Sequence, residues 1–125
     1  MHEVLLLGAL VVKHAIADLF IQSFRKPTNK TRWFDPGLQW HALDHSILTL
    51  VILLLSGLVP LSCAVALAFL DHVLHVSIDW IKTNTVNCLG IKRDGSVFWR
   101  IQAVDQIAHY LTYILIVLLA MKYAV

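Results

Sequence analysis

The sequence predicts an all-α polytopic membrane protein, an up-and-down bundle of four transmembrane helices that forms a single domain over residues 1–125. Hydrophobic residues make up 58% of the chain, and the mean hydropathy is +0.73. A soluble domain of this size could not bury so much apolar surface. Four apolar segments are also long enough to cross a bilayer, which needs roughly 20 residues. The lipid bilayer is therefore the expected environment.

The four predicted helices cover about 4–24, 40–56, 60–82 and 97–121. The first begins without a basic region or a small-residue cleavage site, so we expect it to be retained as a membrane helix rather than removed as a signal peptide. The third begins at Pro60, because proline is tolerated in a first helical turn, where its missing N–H has no partner. Lys92 to Gly95 predict a turn or a small hairpin before the fourth helix.

Basic residues are concentrated in the first and third connections and beside them. They are Arg25, Lys26, Lys30, Arg32, Lys82, Lys92, Arg93 and Arg100. The opposite side has only Lys122. The positive-inside rule then predicts that loops 25–39 and 83–96 are cytoplasmic and that both termini lie outside. Trp33 and Phe34 predict an interfacial anchor. Cys63 and Cys88 would lie on opposite sides, so we expect no disulfide between them.

Each predicted helix carries a stripe of polar residues at helical spacing. These are His14, Asp18 and Gln22 on the first, His41 and His45 on the second, Asp71, His75, Asp79 and Lys82 on the third, and Asp105 and His109 on the fourth. Ionisable residues inside a membrane span are costly and are functional candidates by default. Because the helices alternate in direction, all four stripes meet at the cytoplasmic side, with the deepest residues about 15 Å below the helix ends.

Imidazoles and carboxylates that project into a bundle core are typical of metal sites. The candidate metal ligands are His14, Asp18, His41, His45, Asp71, His75, Asp79, Asp105 and His109. They exceed what one tetrahedral ion needs, so we expect one or two divalent ions, zinc first, with iron or manganese as alternatives. Two other interpretations remain open: a path for protons or ions, and a structural hydrogen-bond network in which Asp71 pairs with Lys82 or His72 and Asp18 with Lys13.

Four ordered motifs resemble one family of small bacterial and phage membrane proteins, domain of unknown function 3307. The motifs are His14-xxx-Asp18, His41-xxx-His45, His75-xxx-Asp79-xx-Lys82 and Asp105-Gln-xx-His109. The resemblance covers nearly the whole chain and implies the same fold and site and a location in the bacterial inner membrane, but it implies no reaction. The site is also loosely similar to that of membrane-embedded zinc hydrolases of the ceramidase type, which is an analogy between sites only.

Three functions are compatible with this pattern. The first is a metal-dependent hydrolase for an amphiphilic or phosphorylated substrate, with Asp79 or Asp105 as general base and Lys82 neutralising negative charge. The second is a transporter or channel for protons or metal ions, which the apolar outer halves of the helices disfavour in a monomer. The third is a structural or holin-like membrane protein in which a metal or polar network fastens the helices. Lipid is the expected partner and a homo-oligomer is possible, whereas no nucleic acid is expected.

Overall fold

A computed structural model describes residues 2–24 and 30–125, which form an all-α fold. Its four long helices are α1 (His2–Phe24), α2 (Pro36–Ser56), α3 (Leu61–Cys88) and α4 (Ser96–Lys122). Each is long and apolar enough to cross a membrane. The predicted fold class, an all-α multi-pass membrane protein, is therefore confirmed. Of the predicted cytoplasmic loop 25–39, residues 25–29 lie outside the described residues, and these include Arg25 and Lys26.

Helix α1 changes its winding near its middle. It is α-helical over His2–Ala15, π-helical over Ile16–Ile21 and α-helical again over Gln22–Phe24. A π-helical turn inserts extra backbone into the helix and is common at functional sites. Here the π-helical turn carries Asp18, the candidate ligand of this helix. The carboxylate is therefore presented from an irregular turn, which the apolar pattern of the sequence did not predict.

Helix α2 begins at Pro36, four residues before the predicted start. The carboxylate of Asp35 accepts hydrogen bonds from the backbone N–H groups of Gly37 (2.9 Å) and Leu38 (3.2 Å), which is a standard N-terminal cap. Pro36 follows in the first turn, where proline suits a helix. The helix ends before Gly57, whose φ of 63° is a left-handed conformation that glycine adopts without strain. The Asp-Pro-Gly sequence is thus a helix start rather than a loop turn.

Helix α3 extends to Cys88, six residues beyond the predicted end at Lys82. Polar residues occupy this extension. Because they lower the hydropathy of the segment, the sequence predicted an earlier end for the helix. The helix ends where Gly90 has a φ of 60° and the Ile91 N–H bonds to the Val86 carbonyl (3.0 Å). With 28 residues it is about 42 Å long, which exceeds the roughly 30 Å hydrocarbon core of a bilayer. Its last turns therefore extend past the apolar region.

The four helices contact one another in a ring, in which α1 packs on α2 and α4, and α3 lies between α2 and α4. An apolar core fills one half of the bundle. It consists of Leu6, Leu10, Leu53, Val59, Ala64, Leu67, Tyr113, Ile116, Val117 and Ala120. A smaller cluster at the other end joins Leu38, Ala42 and Val76 with Trp33 and Trp80. Trp33 therefore packs inside the fold, whereas Phe34 is exposed. Polar side chains lie between the two clusters.

Candidate metal centre

Five histidine rings pack together in the interior of the bundle. They are His14, His41, His45, His75 and His109, and each is no more than 4% exposed. His75 is the centre of this group, since its ring lies 3.8 Å from that of His45, 4.3 Å from that of His109, and 5.0 and 6.0 Å from those of His41 and His14. The stripes of all four helices therefore meet at one place, as the alternating directions predict.

The first group of possible ligands combines one carboxylate with three imidazoles: Asp18, His41, His45 and His75. Their ligand atoms all lie within 4.8 Å of one another. Oδ1 of Asp18 is 3.3 Å from Nε2 of His41 and 3.0 Å from Nε2 of His45. In a tetrahedral zinc site with bonds of about 2.0–2.1 Å, neighbouring ligand atoms are roughly 3.3 Å apart. The two distances from Asp18 therefore match the ligand spacing around a single small divalent ion.

His75 carries the strongest indication that a ligand is expected here. Its ring is 1% exposed, and neither Nδ1 nor Nε2 has a hydrogen-bond partner among the described residues. A buried polar atom without a partner costs about 1–3 kcal/mol, so folded proteins rarely leave one unsatisfied. A metal ion accepts the lone pair of a neutral imidazole, and it would satisfy one of these nitrogens. The donor set therefore fits a metal on chemical grounds as well as on spacing.

A second group of possible ligands lies beside the first and is rich in carboxylates: Asp79, Asp105 and His109. Nε2 of His109 is 3.6 Å from Oδ1 of Asp79 and 3.8 Å from Oδ1 of Asp105. The other oxygen of each carboxylate is held by a lysine: Lys30 donates to Oδ2 of Asp79, and Lys82 donates to Oδ2 of Asp105 at 3.1 Å. Charged outer partners of this kind orient ligating carboxylates in metal sites.

Both ring nitrogens of His14 lie close to hydrogen-bonding groups. Nδ1 lies 2.8 Å from the hydroxyl of Tyr113, and Nε2 lies 3.2 Å from Oε1 of Gln106 and 3.3 Å from Oδ2 of Asp18. Since Gln106 Oε1 only accepts, Nε2 carries the proton and Nδ1 accepts from Tyr113. His14 therefore orients Asp18 in this structure rather than offering a free lone pair.

The possible ligand sets overlap in a way that limits the number of ions. A third set, His14, His75 and His109, takes one residue from each of the other two. The sets built on Asp18 and on Asp79 share no residue, so they are compatible with two ions at once. The set built on His14 competes with both. Among the described residues, the geometry thus accommodates one or two ions.

Asp71 is the one predicted ligand that does not join these sets. Its Oδ2 accepts a hydrogen bond from the Lys13 ammonium (2.7 Å) and another from the Thr49 hydroxyl (2.6 Å). Lys13 also donates to the backbone carbonyl of His45 and lies over the ring of Tyr113. All these groups are buried. Asp71 is therefore engaged in a buried ion pair below the histidines, and its partner is Lys13 rather than the Lys82 or His72 that the sequence suggested.

A polar cavity of about 350 Å³ lies next to the carboxylate-rich group. Its walls include Lys30, Lys82 and Arg93 as well as the side chains of Gln22 and Gln102. Lys82, predicted as a catalytic residue, therefore contacts Asp105 and lines the cavity at the same time. Lys30 has the same double role and was missed, because it lies in a loop 49 positions from Asp79 and no sequence spacing connects the two.

The fold and this interior define the class of protein: four membrane-length helices around a buried centre of imidazoles and carboxylates. The chain belongs to the family described as a protein of unknown function, DUF3307, whose sequence model matches residues 6–125. The family resemblance that the four motifs suggested is therefore confirmed over nearly the whole chain. No curated protein matches the chain. No solved structure matches it either.

Proposed function

We propose that this protein is a metal-dependent hydrolase of a bacterial inner membrane, which acts on an amphiphilic or phosphorylated substrate from the cytoplasmic side. The observation that carries the proposal is the set of Asp18, His41, His45 and His75, in which His75 has no hydrogen-bond partner among the described residues. Three imidazoles and one carboxylate form a donor set suited to zinc. With three of these four residues as ligands, a divalent ion would keep a fourth position for water, would act as a Lewis acid and would activate that water at neutral pH.

The carboxylates beside this set supply the proton transfer. Oδ1 of Asp105 is buried and has no hydrogen-bond partner among the described residues, so it is available to accept a proton from attacking water. Asp79 is the alternative base, and it contacts both His109 and Lys30. Lys82 borders the polar cavity and neutralises negative charge that develops on the substrate. These are the roles that the sequence predicted for the three residues, and they stay predictions.

Transport is less well supported than hydrolysis. A channel or transporter needs polar groups on both sides of its central site. In the described residues, the half of the bundle that contains Leu10, Leu53 and Ile116 is filled by apolar side chains, each buried completely. The polar groups are confined to the other half and to the cavity at its end. A dead-end site that opens on one side suits an enzyme better than a pore.

The test is hydrolysis of a panel of lipid esters, amides and phosphoesters by the purified protein, with and without a chelator. We expect turnover that the chelator removes and zinc restores. His75→Ala should abolish turnover in a protein that still folds, whereas His72→Ala is a matched control on the same helix, outside the possible ligand sets. A bound metal without turnover on any member of the panel contradicts the enzyme proposal. Loss of folding in His75→Ala favours a structural metal instead.

A further inference from the structure

Two cavities with different linings share Lys82 as a lining residue. The first is the polar cavity of about 350 Å³, whose charged lining residues are Lys30, Lys82 and Arg93. The second is a groove of about 280 Å³ between α3 and α4. Apart from Lys82, Thr85 and Asp105, its lining is apolar: Ile78, Ile81, Ile101, Val104 and Ala108. Lys82 therefore lines both the polar cavity, which is called the chamber below, and the apolar groove.

The polar cavity has the chemistry of an anion site. Its charged lining residues within the described part of the chain are three cations, and amide side chains complete the polar wall. Lys30 and Lys82 are only 19% and 21% exposed. Asp79 and Asp105 lie behind these two lysines and fix their positions through the ion pairs. Ammonium groups held in place in this way, together with the guanidinium of Arg93 in the same wall, bind phosphate oxygens through strong charge-assisted hydrogen bonds.

The groove has the chemistry of an acyl-chain site. Ile81 and Val104 are 57% and 66% exposed, so the groove lies on the outer surface of α3 and α4, which faces lipid in a membrane-spanning bundle. A lipid chain can enter it sideways without crossing a polar barrier. Lys82 and Asp105 also line the groove, and Asp105 belongs to the carboxylate-rich group. A molecule in both cavities would therefore place the junction of its head and chain beside Asp105.

We propose that the protein binds an amphiphile with an anionic phosphate head and a single alkyl or acyl chain, with the head in the chamber of Lys30, Lys82 and Arg93 and the chain in the groove between α3 and α4. The opposite charges of head and chamber, and the lining residue Lys82 that chamber and groove share, favour this ligand class over an uncharged lipid. This inference names the substrate class of the proposed hydrolase, but binding itself needs neither turnover nor a metal.

The test measures binding by titration calorimetry to the full chain in phosphatidylcholine nanodiscs, with empty discs as the partition background. Dodecyl phosphate is the main probe, inorganic phosphate tests the head alone, and dodecanol tests the chain alone. We expect dodecyl phosphate to bind at least about tenfold more tightly than either. Equal affinity for inorganic phosphate would refute the role of the chain, and equal affinity for dodecanol would refute the role of the charged head.

Two pairs of variants locate the ligand without disturbing the interior. Arg93→Gln should weaken dodecyl phosphate binding by roughly 5–10-fold, whereas Lys92→Gln, an exposed neighbour outside the chamber, should change it by less than about twofold. Ala108→Leu narrows the groove and should weaken binding of dodecyl phosphate but not of inorganic phosphate. Ala103→Leu, exposed on the same helix outside the groove, is its control. Unchanged affinity in both Arg93→Gln and Ala108→Leu overturns the assignment.

The metal-site variant His75→Ala separates this inference from the proposed function. We expect the variant to bind dodecyl phosphate as wild type does, because His75 lines neither cavity. If wild type binds the amphiphile but hydrolyses nothing, the hydrolase proposal fails and the binding site stands. If wild type hydrolyses uncharged esters but does not bind dodecyl phosphate, the binding-site proposal fails and the hydrolase proposal stands.

Discussion

Lys13 and Asp71 are 58 positions apart in the sequence, and they form a buried ion pair with 2.7 Å between Nζ and Oδ2. The pair connects α1 to α3 beneath the histidine cluster, and the Lys13 ammonium also donates to the backbone of His45 on α2. Since His45 belongs to the first ligand set, this ion pair links the positions of three helices to the geometry of the candidate metal centre.

Removing one member of this pair should destabilise the protein strongly. Lys13→Met leaves the Asp71 carboxylate buried without its cationic partner, and such a change costs about 3–5 kcal/mol. We expect a large fall in the melting temperature of the detergent-solubilised protein. The double variant Lys13→Met, Asp71→Leu should recover much of the loss, and Lys122→Met, an exposed cation, should have little effect. Equal stability of Lys13→Met and wild type would contradict the role of this pair.

Tyr113 should influence metal affinity although it is no ligand. Its hydroxyl fixes the His14 ring, and His14 in turn contacts the Asp18 carboxylate. Tyr113→Phe removes that hydroxyl while keeping the ring, so we expect roughly tenfold weaker metal binding with the fold preserved. Competition with a coloured chelator measures the affinity. Tyr110→Phe is the control, because its ring packs on His14 at 5.8 Å in an edge-on contact. An equal effect of both changes would refute the specific role of Tyr113.

The helical spacing of the sequence predicted much of the site, and the reasons are local. His14 and Asp18, His41 and His45, and Asp105 and His109 each lie four residues apart, so a helix puts each pair on one face whatever the tertiary structure. Their convergence followed from alternating helix directions. The partners of Asp71 and Asp79 could not be predicted from the sequence. They depend on how each helix is rotated and on the path of the loop that carries Lys30. The π-helical turn around Asp18 could likewise not be predicted, because it does not change the pattern of apolar residues.

The two cysteines provide a test of the predicted topology. Cys63 and Cys88 are both free and lie near opposite ends of α3, about 37 Å apart along the helix axis. In intact cells, a membrane-impermeant thiol reagent should leave Cys88 unlabelled, since the positive-inside rule puts it in the cytoplasm. Inverted vesicles should label it, and Cys88→Ser should remove that signal. Labelling of Cys88 from outside intact cells would show that the orientation is reversed.

The two non-overlapping ligand sets predict different metal losses. Asp18→Asn weakens the set with three imidazoles, so we expect it to lower the bound metal in the purified protein. Asp105→Asn affects only the set that also contains Asp79 and His109, so the ion held by His41, His45 and His75 should remain. With two independent sets, each single variant should lose one ion and the double variant Asp18→Asn, Asp105→Asn should lose both, as measured by metal content per chain after dialysis. Loss of both ions in either single variant would contradict two independent sets.

Elemental analysis of the purified wild-type protein tests whether the histidine cluster holds a metal. The unpartnered nitrogens of His75 and the spacing of Asp18, His41 and His45 predict a divalent metal, zinc first, at one or two ions per chain. We expect His75→Ala to lose it and His72→Ala to retain it. A folded wild-type protein that contains no metal, and that binds none when zinc, iron or manganese is supplied, would contradict the account and leave the histidine cluster as a structural network.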